Sequence, residues 1–266
     1  MIPFGSKGEG NMRSDIDLKG RQAFVTGGAR GLGRRIAERL DAAGSGIAIM
    51  DHPDALAAAG SLPADWATAA VDLAAENAEE ALTAAIDGLD QLDILIANAG
   101  VVPPWRGVAE LDLIEWERVF RINVTGIAMS LKAAASGLAA SDHGAAVLMA
   151  SINAYRAHPE QILYTASKHA VLGLMRAAAL DLGRKGVRVN ALAPGPIATD
   201  ALKTRVTTRH AAGGPSPDEA FAALADETAL GRMATEDDVA DAALYLASDL
   251  AAGVTGTLLP VECGLA

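Results

Sequence analysis

From Gln22 onward, short runs of apolar residues alternate with longer stretches in which apolar positions recur every three or four residues. Seven runs, at 23–26, 47–51, 69–72, 94–97, 145–150, 187–193 and 257–261, are nearly continuous in apolar residues. That is the pattern of strands buried on both faces. The intervening text predicts helices over 32–43, 76–89, 113–140, 162–184 and 236–248. The last of these has a clear start signal: Thr235 as N-cap, then Glu236, Asp237 and Asp238 at the positive end of the helix. Strict alternation of strand and helix implies parallel strands joined by right-handed crossovers. The expected fold class is therefore α/β, a doubly wound, mostly parallel seven-stranded sheet with helices on both faces. The pattern runs without a break in composition, so residues 18–266 are expected to form one domain. Residues 1–17, polar and rich in glycine (Gly5, Gly8, Gly10), are expected to be a mobile arm. One segment is irregular. Residues 199–233 carry Gly213, Gly214, Pro215 and Pro217 between two short helical stretches, and their place after a strand's carboxyl end suggests a substrate lid.

Composition narrows the function class. Of the 266 residues, 51% are apolar and 21% charged, a globular profile rather than a disordered one. A net charge of -11 argues against non-specific attraction to nucleic acid or to an anionic membrane. The single cysteine, Cys263, excludes an intramolecular disulfide framework and fits a reducing compartment. No run is long and apolar enough to span a membrane, and residues 1–14 lack the apolar core of a secretory signal. The expected partner is a small molecule and the expected location the cytoplasm.

The first strand leads into Thr26-Gly27-Gly28-Ala29-Arg30-Gly31-Leu32-Gly33, which opens directly into a helix. Glycines there permit a tight turn, close approach of a pyrophosphate and close packing of helix on sheet, while the free N–H groups of the helix start favour negative charge. Asp51, at the end of the second strand, is placed to accept hydrogen bonds from ribose hydroxyls and to repel a 2′-phosphate, which selects NAD over NADP. Arg30 and His52 are basic groups that pull the other way; a carboxylate beside a phosphate dianion is the costlier arrangement, so NAD is favoured. Asp72, followed by Leu73, ends the third strand where an adenine amino group would lie.

Tyr164 and Lys168 are four residues apart on a predicted helix and share one face. A free tyrosine has a pKa near 10, and bringing a phenol to ~7 takes roughly 4 kcal/mol of preferential phenolate stabilisation. A nearby ammonium is the right kind of perturbation for a general acid–base. Ser151, at a strand end thirteen residues before Tyr164, is placed to hydrogen-bond a substrate oxygen.

The glycine spacing T-G-x-x-x-G-x-G, the Asn98-Ala99-Gly100 turn and Tyr164-Thr165-Ala166-Ser167-Lys168 together resemble the short-chain dehydrogenase/reductase family, in its compact single-domain branch. The resemblance runs from about residue 18 to the C-terminus and implies a Rossmann-type fold and a tetramer of identical chains, with the helices at 113–140 and 162–184 pairing across a two-fold axis. It further implies that Lys168 holds the nicotinamide ribose and that Asn123 holds a water joining the lysine to solvent. Asn98 is expected to border the adenosine. In Pro194-Gly195-Pro196-Ile197-Ala198-Thr199, the main chain of Ile197 with Thr199 is expected to bind the carboxamide. Two departures stand out: Ala97 replaces the first asparagine of the family's Asn-Asn-Ala-Gly, and Val261-Glu262-Cys263-Gly264 replaces its frequent Asp-Gly-Gly.

Rival chemistries lack their motifs. The five histidines form no H-E-x-x-H pair, and Ser151 has no G-x-S-x-G setting. Candidate substrate walls are the stretches 101–105 and 152–158 and the segment 199–233, with Trp105 and Tyr155 able to stack on a ring. Lys203, Arg205, Arg209 and His210 read either as a solvated face or as a site for an anionic group. The expected function is NAD-dependent hydride transfer between nicotinamide and the carbinol or carbonyl carbon of a small secondary alcohol, polyol or sugar-like compound. The alternatives are an NADPH-dependent ketoreductase, for example of the 3-oxoacyl type, and a dinucleotide-binding regulator without turnover.

Overall fold

Seven strands form one sheet in the order β3-β2-β1-β4-β5-β6-β7, every neighbouring pair parallel. They are β1 (Gln22–Thr26), β2 (Gly46–Asp51), β3 (Ala67–Ala70), β4 (Ile94–Ala97), β5 (Ala145–Met149), β6 (Arg188–Pro194) and β7 (Leu258–Val261). The computed structural model describes residues 16–211 and 213–265. The first fifteen residues of the expected arm lie outside that range. Ile16, counted with the arm in the sequence, packs against the core.

Side-chain alternation along the strands feeds two cores, one on each face of the sheet. Phe24, Met50, Leu95 and Leu148 point to one face, where they meet α3 (Ala78–Asp87), α5 (Gly126–Ala140) and α6 (Ile162–Gly183). Val25, Ile49, Ile96 and Val147 point to the other, against α1 (Gly31–Ala42) and α9 (Glu236–Ala247). Each such fully buried side chain contributes about 1.5–3 kcal/mol. Arg35 and Arg39 of α1 pair with Asp237 and Asp241 of α9, which fixes the rotation of the two helices about each other. Thr235 forms a full capping box with Asp238, so the start signal of α9 is realised.

Three local features differ from the sequence pattern. The third strand is Ala67–Ala70, two residues earlier than expected, because its alanines pair with 48–51 of β2 at the sheet edge and carry little hydrophobic signal. The helix expected over 113–140 is α4 (Leu113–Phe120), a π-helical turn (Arg121–Thr125) and α5. A short α2 (Pro53–Ala57), capped by His52, follows β2. As expected, the 199–233 segment holds two helices, α7 (Asp200–Ala211) and α8 (Pro217–Asp226). No helix among the described residues is long and apolar enough to cross a membrane.

Candidate active site

The turn after β1 is built to contact distance. Gly27 and Gly31 have φ of 67° and 54°, the left-handed region in which glycine carries no Cβ penalty. A Cβ on Gly33 would overlap the Gly27 carbonyl oxygen, and one on Gly27 would lie 2.9 Å from Asn98 Nδ2 and from the Ala99 main chain. Asn98 Nδ2 donates to the carbonyls of Thr26 and Gly27, both at 3.1 Å. Thr26 Oγ1 accepts from the N–H groups of Asn98 and Ala99, both at 3.0 Å. The turns after β1 and β4 are thereby locked together. Thr26 was assigned no role in the sequence, since a buried strand-end hydroxyl gives no pattern there.

At the start of α1 the N-cap, Arg30, is exposed and supplies no side-chain acceptor to the first-turn amides. Those amides and the dipole of a twelve-residue helix are the donor set an anionic pyrophosphate requires, and above Gly31 a Cβ would meet nothing within 4 Å. The residues therefore fit a dinucleotide. Leu32 packs at the edge of the core. Asp51 Oδ2 accepts from the Ala29 N–H at 2.9 Å and Oδ1 from the His52 N–H at 2.8 Å, which brings its carboxylate to the glycine turn. Asp72 lies beyond the end of β3, its position corrected by the strand shift, where it accepts from the Ala74 N–H at 2.8 Å. His52 Nε2 is 3.8 Å from that carboxylate. The side chain of Leu73 is buried against Gly126, which leaves only its main chain to meet a ligand.

The groups with acid–base chemistry converge between β5, α6 and the π turn. Lys168 Nζ, fully buried, donates to the Met149 carbonyl at the end of β5 at 2.8 Å and lies 5.6 Å from the centroid of the Tyr164 ring. Burial pulls its pKa down from 10.5 to about 8, so at pH 7 roughly nine in ten remain ammonium. Asn123, wholly buried in the π turn, is bonded at both ends of its amide. Oδ1 accepts from the Val101 N–H at 2.8 Å, while Nδ2 donates to the Val101 carbonyl at 2.9 Å and to Ser167 Oγ at 3.3 Å. Ser167 in turn donates to the Tyr164 carbonyl at 2.8 Å, a link the sequence did not reveal. Gly100 keeps the chain close: a Cβ there would sit 3.3 Å from Asn123 Oδ1. Ser151, buried at the end of β5, accepts from the Asn153 N–H at 3.2 Å.

Pro194 ends β6, and the Gly195 N–H donates to the Val261 carbonyl at 3.0 Å. Ile197 is buried and bridges to Ala234, and the Thr199 N–H donates back to the Ile197 carbonyl at 2.6 Å. These four residues stand at the root of the 199–233 segment. Beside Tyr164 lies a shallow surface depression walled by Pro103, Pro104, Trp105 and Ile162, with Arg106, Asp112, Glu115 and Glu160 on its polar side. Arg209 of α7 stacks over Trp105 at 5.8 Å from its ring centroid. Tyr155 lies under Arg156, and burial together with Glu262 raises its phenol pKa.

Residues 27–266 match a family model described as enoyl-(acyl carrier protein) reductase. Cis-4-hydroxycyclohexanecarboxylate dehydrogenase of Sinomonas cyclohexanicum is 35% identical over 252 residues, covering 92% of this chain and 96% of that one. (+)-Borneol dehydrogenase 2 of Salvia officinalis is 33% identical, covering 93% and 90%. Carveol dehydrogenase from Mycobacterium avium, solved in complex with NAD, superposes with a TM-score of 0.85 at 33% identity, over 94% of this chain and 98% of that one. With matches of this length, the chain belongs to the short-chain dehydrogenase/reductase family and is an oxidoreductase acting on CH–OH groups.

Proposed function

We propose that this chain is an NAD-dependent dehydrogenase of secondary alcohols carried on a ring. The observation that carries the chemistry is the buried Lys168 ammonium, held by the Met149 carbonyl within reach of the Tyr164 ring. A cation that close, shielded from water, stabilises a phenolate far more than it would in solvent. Tyr164 takes the alcohol proton during oxidation and returns it during reduction, while the Ser151 hydroxyl donates to the substrate oxygen as charge develops there. Bound NAD supplies the hydride acceptor. Both N–H donors and one acceptor position of the Asn123 amide are taken by Val101 and Ser167, so we assign the relay water to main-chain carbonyls of the π turn.

Choice of NAD rests on Asp51, whose carboxylate stands at the glycine turn. The Pro194–Thr199 turn is assigned to the carboxamide, and Asn98, Asp72 and the main chain of Leu73 to the adenosine side. A ring substrate is supported by the names of the relatives and by the Pro103–Trp105 wall beside Tyr164. We place the enzyme in the cytoplasm as a tetramer, consistent with the exposed Ile114 on α4 and Leu180 on α6. Light scattering tests the assembly. The function is tested by following cofactor reduction with NAD and NADP against cyclohexanols, carveol and borneol. Turnover with NAD well above that with NADP is expected; NAD binding without any turnover would favour the regulator, and a preference for NADPH and ketones the ketoreductase.

A further inference from the structure

Between Ser151 and Tyr164 lies a buried amide that the proposed chemistry leaves unused. Asn153, only 4% exposed, sits in the short 3-10 turn that Ser151 caps. Its Nδ2 donates to Gln161 Oε1 at 2.9 Å and to Thr165 Oγ1 at 3.0 Å. Gln161 is the N-cap of α6, and Thr165 lies in its first turn next to Tyr164. With the nitrogen set between Gln161 Oε1 and Thr165 Oγ1, the amide oxygen takes the other side. Oδ1 is thus turned to Ser151, whose Oγ is 3.4 Å away and whose lone pair already receives the Asn153 N–H at 3.2 Å.

We propose that Asn153 is a positioning residue for the reaction: it aims the Ser151 hydroxyl and ties the end of β5 to the turn of α6 that carries Tyr164. The proposal rests on the reading that Ser151 and Tyr164 share the substrate oxygen. A serine hydroxyl is a free rotor, and its proton goes wherever the nearest acceptor stands. The N–H of Asn153 occupies one lone pair and polarises the O–H, which strengthens what it can donate. At 3.4 Å the Oδ1 acceptor is long and weak, so it parks the proton without trapping it. A substrate oxygen at ordinary bonding distance displaces Oδ1 with little loss. The Nδ2 bonds to Gln161 and Thr165 meanwhile hold the separation between serine and tyrosine, which belong to different elements thirteen residues apart.

A purely structural amide would stabilise the loop but would not act through Ser151. The experiment therefore measures kcat, alcohol KM and NAD affinity for the wild type, Ser151→Ala, Asn153→Ala and the double variant. We expect Asn153→Ala to lower kcat on the order of 10- to 100-fold with NAD affinity little changed. The loss in the double variant should fall well short of the product of the two single losses, because the part of Asn153 that acts through Ser151 is already gone in Ser151→Ala. Thr165→Val should lose part of the rate and Thr165→Ser, which keeps the acceptor, less. Multiplicative losses in the double variant, or a wild-type kcat for Asn153→Ala, would overturn the proposal while leaving the role of Ser151 intact. Should Asn153→Ala not fold, the same cycle run with Thr165→Val decides it. An undiminished Ser151→Ala, or a wild type inert toward every secondary alcohol, removes the underlying reading and this proposal together.

Discussion

The turn after β1 and the segment after β6 both leave the carboxyl edge of the sheet, yet they are built in opposite ways. After β1 the main chain is packed to its limit: Gly33 has no room for a methyl group, and a Cβ on Gly28 would come within 2.7 Å of Ile49. After β6, α8 buries no side chain and α7 is anchored among its described side chains by Val206. The cohesion of α8 is local, a capping box between Ser216 and Glu219. Under the function proposed above, a ligand common to many reactions meets shape that tolerates no change, and a ligand peculiar to one reaction meets helices that change at little cost to the fold. Tyr164, Lys168 and Ser151 stand between the two, on the rigid side.

Substitutions of graded effect sharpen the contrast. Tyr164→Phe should lower kcat by roughly 10³-fold with NAD affinity little changed, as paired turnover and binding measurements would show. Gly33→Ala should destabilise the protein by about 3 kcal/mol in denaturant unfolding and abolish NAD binding, because its Cβ meets main chain that cannot swing away. Lys168 adds a pH test of the same rigid zone. Its ammonium leaves at about 8 in the folded protein but at 10.5 in the open chain, so between those values the unfolded state binds more protons and stability rises with pH. In Lys168→Met that rise, about 3 kcal/mol for a group so deeply buried, should vanish from the pH series of unfolding curves. Asp51→Asn should cost about 2 kcal/mol of the preference for NAD over NADP, read as the ratio of kcat/KM values. The smallest effects separate the two regions best. Thr235→Ala, at the cap of a core helix, should remove about 1 kcal/mol of global stability, whereas Ser216→Ala should leave the melting temperature unmoved. Equal losses from the two would mean that α8 is part of the cooperative core.

Most of the architecture was legible because each central strand is apolar on both faces and every crossover is periodic. What escaped detection did so for identifiable reasons. The edge strand β3 is alanine and threonine and pairs on one side only, so its register, and with it Asp72, follows β2 rather than its own pattern. The π turn preserves helical composition through Arg121–Thr125, and nothing in the residue types announces the change of hydrogen bonding. Of the candidate site, the glycine turn, Asp51, Tyr164 and Lys168 were legible because chemistry demands those residues at fixed spacing. Asn153, Ser167 and Thr26 were not, since their partners come from other elements and exist only once the chain has closed on itself.

The π turn also sets what can be redesigned. Through the two bonds from Asn123 to Val101, the peptide after β4 hangs from a helix rather than from the sheet it has just left. Val101 is thus a fixed mooring. Residues inserted beyond it, toward Pro104, would lengthen the wall beside Tyr164 without straining the glycine turn, whereas deleting one residue of 121–125 would turn Asn123 away, release the mooring and disturb both ligand sites at once.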